Sequence, residues 1–209
     1  MTFKSIEPEE LEKSITLLQP TTPFLVTTIN EDNSINIAPF AWGGPISFDP
    51  PMFSLALLNE PRKQDSLKNI ERTKEFVVNL IDMDIAQRVV EASYEYPEGI
   101  NKFEELNFKE VESDNIDTPG ITEARAHLEC KVKNFHKTGD HKMIISDIIA
   151  SSYNSDYYTG DLLLDLRKAN PMFHLEQYEK DDGQVHVFIK ENGTEVLNIP
   201  YKVKLDLDF

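Results

Sequence analysis

Polar and apolar residues alternate along much of this chain, and the alternation predicts short strands in preference to long helices. Ala126, Leu128, Cys130 and Val132 interleave with His127, Glu129, Lys131 and Lys133, the period-two signature of a half-buried strand over 126–135. Phe24 to Ile29 is rich in β-branched and aromatic residues, and Ile35 to Phe40 follows the turn residues Asn30 to Asn33, so the pair predicts a hairpin. Further strands are predicted over 52–58 and 75–80. After the Thr138-Gly139-Asp140 turn, the strand at 141–150 has consecutive apolar residues at its centre, as a strand buried on both faces would. Helical signals are fewer. Leu11, Ile15 and Leu18 are spaced for a short N-terminal helix, Asp65 or Ser66 can cap a helix through Thr73, and a third is predicted over 84–92. The stretch 151–170 is polar and turn-rich. Val185 to Lys190 and Glu195 to Ile199 then flank Glu191-Asn192-Gly193-Thr194, whose Asn-Gly pair is a hairpin signal. Many short strands with two or three helices predict a mainly β fold, a barrel or sandwich carrying helical insertions.

The 209 residues, 40% hydrophobic, suit one domain with a sizeable core and an addition over the last 35 or so residues. A formal charge of −16 argues against a nucleic-acid partner. It does not forbid an anionic ligand, because a local cluster of cations overrides the mean field. With one cysteine, no intrachain disulfide and no multi-thiolate zinc site can form. Cys130 falls on the apolar face of its strand and reads as a core thiol, with His127 on the opposite face. No metal site is expected. The acidic N-terminus lacks a secretory pattern and no apolar run reaches about 18 residues, so the expectation is a cytoplasmic protein that does not insert in a membrane.

Candidate chemistry gathers between residues 36 and 70. Asn36 can donate or accept at the edge of a heterocycle, Pro39 stiffens the adjoining backbone, and Trp42, the chain's only tryptophan, offers a large ring. Trp42 can equally be a core residue, and Gly43-Gly44 either a turn or a place of close backbone approach to a ligand. Arg62 and Lys63 precede the predicted helix, whose free N–H groups and dipole favour a phosphate that the Ser66 hydroxyl can also reach. In the plainer reading Asp65 or Ser66 only caps the helix and the two cations are solvated. His141 opens a strand after a tight turn, either as a proton donor at a ligand or as a strand-end histidine on a carbonyl.

Taken in order, these motifs resemble those of the flavin reductase-like family, and most nearly its flavoredoxin-like branch. The matching segments are Pro23-Phe24-Leu25-Val26-Thr27-Thr28, Asn36-Ile37-Ala38-Pro39-Phe40-Ala41-Trp42, Asp49-Pro50-Pro51 and Arg62-Lys63-Gln64-Asp65-Ser66-Leu67-Lys68-Asn69-Ile70. They continue with Glu75-Phe76-Val77-Val78-Asn79-Leu80, Lys102-Phe103-Glu104, Leu128-Glu129-Cys130-Lys131-Val132 and Gly139-Asp140-His141. The resemblance implies an FMN-binding split β-barrel, a Greek-key antiparallel barrel with short helices, over 1–178, and it leaves 179–209 as a C-terminal extension with a hairpin. It also implies roles. Asn36 and Trp42 would contact the flavin, with Ala38, Pro39, Phe40 and Ala41 along the ring. Arg62, Ser66 and Asn69 would hold the phosphate or ribityl chain, Ser66 standing where the family often has threonine. Lys102 would reach the ring, Phe173 would close over it, and His141 would serve the cofactor or a nicotinamide as the catalytic residue. The implied activity is reduction of a free flavin or a ferric chelate by NADH or NADPH through FMN, in a homodimer. The competing expectations are an electron carrier serving a redox protein and, last, a degenerate binding module.

Overall fold

A computed structural model describes residues 2–96, 100–179, 185–190 and 196–201. Its main element is one seven-stranded antiparallel sheet. In chain order the strands are β1 (Phe24–Ile29), β2 (Ile35–Phe40), β3 (Gly43–Phe48), β4 (Pro51–Leu58), β5 (Glu75–Leu80), β8 (Ala126–Thr138) and β9 (His141–Tyr153). Two-residue strands β6 (Glu110–Val111) and β7 (Gly120–Ile121) pair with each other. Across the sheet the order is β2-β1-β5-β8-β9-β4-β3.

That order forces closure. β2 and β3 occupy opposite edges, yet only Ala41 and Trp42 separate them in the chain. Three Cα–Cα steps span at most about 11 Å, whereas the edges of a flat seven-stranded sheet would lie roughly 29 Å apart. The sheet must therefore curl into a barrel split between β2 and β3.

The barrel interior holds Phe24, Val26, Phe53, Leu55, Leu57, Phe76, Val78, Cys130 and Ile144, and helix α1 (Asp65–Thr73) plugs it with Leu67 and Ile70. Burial pushes the Cys130 thiol up to about 12, so it stays protonated as a core group. The opposite face of β1 and β2 presents Leu25 and Ile37 to a second core. A 3-10 turn (Met83–Ile85) and helix α2 (Ala86–Ala92) supply Ile85, Val89 and Val90, and helix α3 (Lys102–Glu105) supplies Phe103. Buried on both faces, β1 shows no alternation. A separate sheet joins β10 (Phe173–Glu179), β11 (Val185–Lys190) and β12 (Val196–Tyr201). β11 and β12 pair antiparallel, as the predicted hairpin requires, while its Asn192-Gly193 turn lies outside the described residues.

Three expectations are corrected. The N-terminal helix is a 3-10 helix over Pro8–Leu18 with no buried residue, so its apolar spacing serves no core contact among the described residues. Gly43 and Gly44 form no turn; they open β3, an edge strand with little β-propensity. A Cβ on Gly43 would lie 2.7 Å from the Phe24 ring and 2.8 Å from the Ser54 carbonyl, so this close approach is made within the fold. β9 is fully buried only at Ile144 and Ser146, its outward residues Ile149 and Tyr153 being exposed. β8 keeps its alternation against β5, the register shift beside Glu129/Cys130 leaving Ile149 of β9 unpaired, and Glu129 on its polar face is buried with its carboxylate accepting from the backbone N–H groups of Asp114 (2.7 Å) and Asn115 (2.9 Å). No helix among the described residues is long and apolar enough to cross a membrane.

Candidate functional site

A groove of about 530 Å³ opens where β2, the start of α1, the segment after α2 and α3 converge. Each wall has a local cause. The end of β2 lines the groove with Ala38, Pro39 and Phe40. Helix α1 begins at Asp65 with no side-chain cap, leaving first-turn N–H groups available beside Arg62, Lys63 and Ser66. Asn101 caps α3 by accepting from the Phe103 N–H (3.1 Å) and so sets Lys102 at the first helical position.

The cations of the groove are tethered. Arg62 Nη1 lies 2.7 Å from Glu95 Oε1, an exposed pair of small energetic weight. Lys63 Nζ lies 2.7 Å from Glu71 Oε2, and Glu71 also takes Lys142. Burial alone would raise the Glu71 carboxyl, but the two ammonium groups outweigh it and hold it below the usual range. Lys102 is half-buried. Its Nζ donates to the Ala92 carbonyl at 3.2 Å and sits 5.9 Å from the Tyr96 ring centre. Burial pulls its pKa down, with Asp65 opposing. The Tyr96 phenol, pushed up to about 12 by burial and by Glu91 and Glu105, stays protonated at any ordinary pH.

Of the residues expected at a cofactor site, the groove brings together Asn36, Ala38, Pro39, Phe40, Arg62, Ser66 and Lys102. Asn36 and Ser66 are both buried and joined at 2.9 Å. Asn69 lies behind the wall, where its amide donates to Thr28 Oγ1 (3.1 Å) and Asn30 Oδ1 (2.8 Å). Ala41, Trp42 and His141 do not line the groove; the Trp42 and His141 rings stack on each other with centres 4.7 Å apart. His141 Nδ1 lies 2.7 Å from Asp140 Oδ1, and this hydrogen bond lowers the Asp140 carboxyl. Phe173 is half-buried on β10 and stands outside the groove.

Sequence reasoning missed Thr28, Asn30, Tyr94, Glu95 and Tyr96. The groove segment 92–96 carries no motif, but Asn101 with Glu104 three residues on was a readable helix start that would have drawn attention to Lys102. His127, on the face opposite Cys130, has both ring nitrogens engaged, by Ser152 Oγ (2.9 Å) and the Ile121 carbonyl (2.8 Å).

Comparison with known proteins places this architecture. The model of the flavin reductase like domain matches residues 18–171. An uncharacterized protein of Aquifex aeolicus is 27% identical over 163 residues, covering 76% of this chain and 83% of its own. The 2-nitrobenzoate 2-nitroreductase NbaA of Pseudomonas fluorescens superposes with a TM-score of 0.74 at 25% identity, covering 94% of each chain. The flavoredoxin of Methanosarcina acetivorans superposes with a TM-score of 0.72 at 17% identity, covering 93% of this chain and 94% of that one. With a split barrel, an anion-compatible groove beside it and a family match over most of its length, the chain belongs to the flavin reductase-like family.

Proposed function

We propose that this protein binds FMN in the groove and uses it to pass electrons from NADH or NADPH to a free flavin or a ferric chelate. The observation that carries the reading is the make-up of the groove's lining. It combines the cations Arg62 and Lys63, the buried Ser66 hydroxyl and an uncapped helix N-terminus with the wall of Ala38, Pro39 and Phe40 and the half-buried Lys102 ammonium. That donor set suits a planar ring on a phosphorylated chain.

FMN, when bound, supplies the hydride and electron chemistry at its N5. The chain's residues would bind and orient it. Arg62, Lys63 and Ser66 would take the phosphate, while Lys102 would offset negative charge on the ring. His141, held through Nδ1 by Asp140, keeps Nε2 available to hold or give a proton. Ala41, Trp42, His141 and Phe173 do not line the groove, and their assigned parts would fall to a site completed by a second copy. Exposed apolar residues on two strands, Ile46 and Phe48 of β3 and Ile149 and Tyr153 of β9, suit such a homodimer.

Steady-state oxidation of NADH and NADPH, with and without added FMN, tests the reading. The expected result is oxidation of at least one nicotinamide that depends on FMN. The charge of −16 favours a second reading, a carrier whose bound flavin exchanges electrons with a basic redox protein. Reduction by a protein donor with no response to either nicotinamide would replace the first reading with the second.

A further inference from the structure

Polar side chains form a continuous line behind the groove, from the exposed Asp32 through the half-buried Ser34 and Asn30 to the buried Asn69, Thr28, Asn36 and Ser66. Asp32, in the β1–β2 turn, accepts through Oδ1 from the Ser34 hydroxyl (2.6 Å) and the Ser34 N–H (3.0 Å). A carboxylate only accepts, so Ser34 spends its single hydroxyl hydrogen there and its oxygen accepts from Asn30 Nδ2 (3.0 Å). The Asn30 amide is thereby oriented. Its Oδ1 faces Asn69 and accepts from Nδ2 at 2.8 Å, while the other Asn69 amide hydrogen goes to Thr28 Oγ1 at 3.1 Å. Thr28 Oγ1 also accepts from Asn36 Nδ2 at 3.1 Å, and the second Asn36 hydrogen goes to Ser66 Oγ at 2.9 Å.

The line ends at the groove with a defined polarity. Ser66 Oγ accepts from Asn36 and has no other protein partner among the described residues, so its hydrogen remains to be donated. Asn36 has spent both amide hydrogens inward, which leaves Oδ1 as an acceptor on the groove side. Were the Asn36 amide turned over, Oδ1 would face the two hydroxyls and draw the Ser66 hydrogen inward, away from any anion. Thr28, Asn36, Ser66 and Asn69 are all buried, so an unmatched donor among them is costly and the arrangement is held.

We propose that Thr28 and Asn69 are positioning residues. Thr28 accepts from Asn36, and Asn69, oriented by Asn30 in a line that begins at Asp32, donates to the same Thr28 oxygen; together they keep the Ser66 hydroxyl poised as a donor to the phosphate of a bound flavin nucleotide. The inference rests on the FMN reading above and adds to it two residues that touch no ligand. The carboxyl of Asp32, held below its ordinary range by the Ser34 hydroxyl and N–H, stays ionised and anchors the direction.

The test compares two ligands with the same ring: FMN, and riboflavin, which lacks the phosphate. Thr28→Val keeps the shape and removes the acceptor, and is expected to weaken FMN about tenfold while riboflavin changes by less than about twofold. Thr28→Ser restores wild-type FMN affinity. Ser66→Ala reproduces the loss, and the double variant with Thr28→Val loses no more than Ser66→Ala alone, because both act on one bond. Should Thr28→Val fail to fold, Ser34→Ala in the surface turn is expected to lower FMN affinity alone by about twofold to threefold. Equal losses for both ligands, or wild-type FMN affinity in Thr28→Val, would overturn the relay while leaving the FMN reading in place. Wild-type protein that binds neither ligand would overturn both.

Discussion

Lys102→Met is expected to raise the thermal midpoint of the cofactor-free protein while weakening FMN binding roughly tenfold to a hundredfold. The two signs come from one cause. The ammonium is half-buried, and its protein partners are the Ala92 carbonyl, the distant Tyr96 face and the field of Asp65. These do not restore its lost hydration, which is why burial dominates and its pKa falls. Methionine keeps the stem and removes the charge. Because the folded-state pKa lies below 10.5, the unfolded chain holds the proton more tightly. The penalty is full below the folded pKa and fades as pH rises through it toward 10.5. The stability gain of the variant is therefore greatest near neutral pH and shrinks in alkaline buffer. Thermal melts across pH, paired with an FMN titration, check both signs. A lower midpoint with unchanged FMN affinity would make Lys102 a structural residue and remove it from the site.

Arg125→Met is expected to cost about 3–5 kcal/mol of stability, read from the urea midpoint. The side chains of Arg125 and Asp82 are 7% and 10% exposed and meet at 2.7 Å, and Arg125 Nη1 also donates to the Ile81 carbonyl. Around them the backbone closes a junction. Arg125 N–H donates to Leu80 (2.8 Å), its carbonyl accepts from Asn154 (2.8 Å), and Asp82 bridges to Pro171. Removing the guanidinium strands the Asp82 carboxylate in a dry site. Replacing both, with Asp82→Leu added, should recover most of the loss, since a well-packed apolar pair need not repay desolvation. A single variant as stable as the wild type would mean that water reaches the junction.

What the sequence revealed follows from the range of the forces involved. Period-two patterning located β8, and apolar, β-branched and aromatic runs beside turn residues located β1, β2, β4, β5 and β9, because each buries at least one face against a core. β3 escaped notice because Gly43, Gly44 and Pro45 carry no strand propensity and Phe48 is fully exposed; it is held by pairing to β4, which local composition does not encode. The N-terminal apolar spacing misled because periodicity reports a face without reporting a partner. At the site, ordered motifs identified Asn36, Arg62, Ser66 and Lys102, which the fold does bring to one groove. Long-range pairing hid the rest. Thr28 reaches Asn69 across 41 residues, and Arg62 reaches Glu95 across 33. No window along the chain shows that Asn69 supports the wall while Asn36 faces the groove.

Visible absorption during anaerobic titration of the purified protein with FMN, followed by NADH and then NADPH, tests the central claim most directly. The oxidised-flavin bands are expected to shift and sharpen to saturation on binding, with that saturation weakened in Ser66→Ala, and to bleach with at least one nicotinamide. Protein that leaves the spectrum of added FMN unchanged, at any ratio, would contradict it.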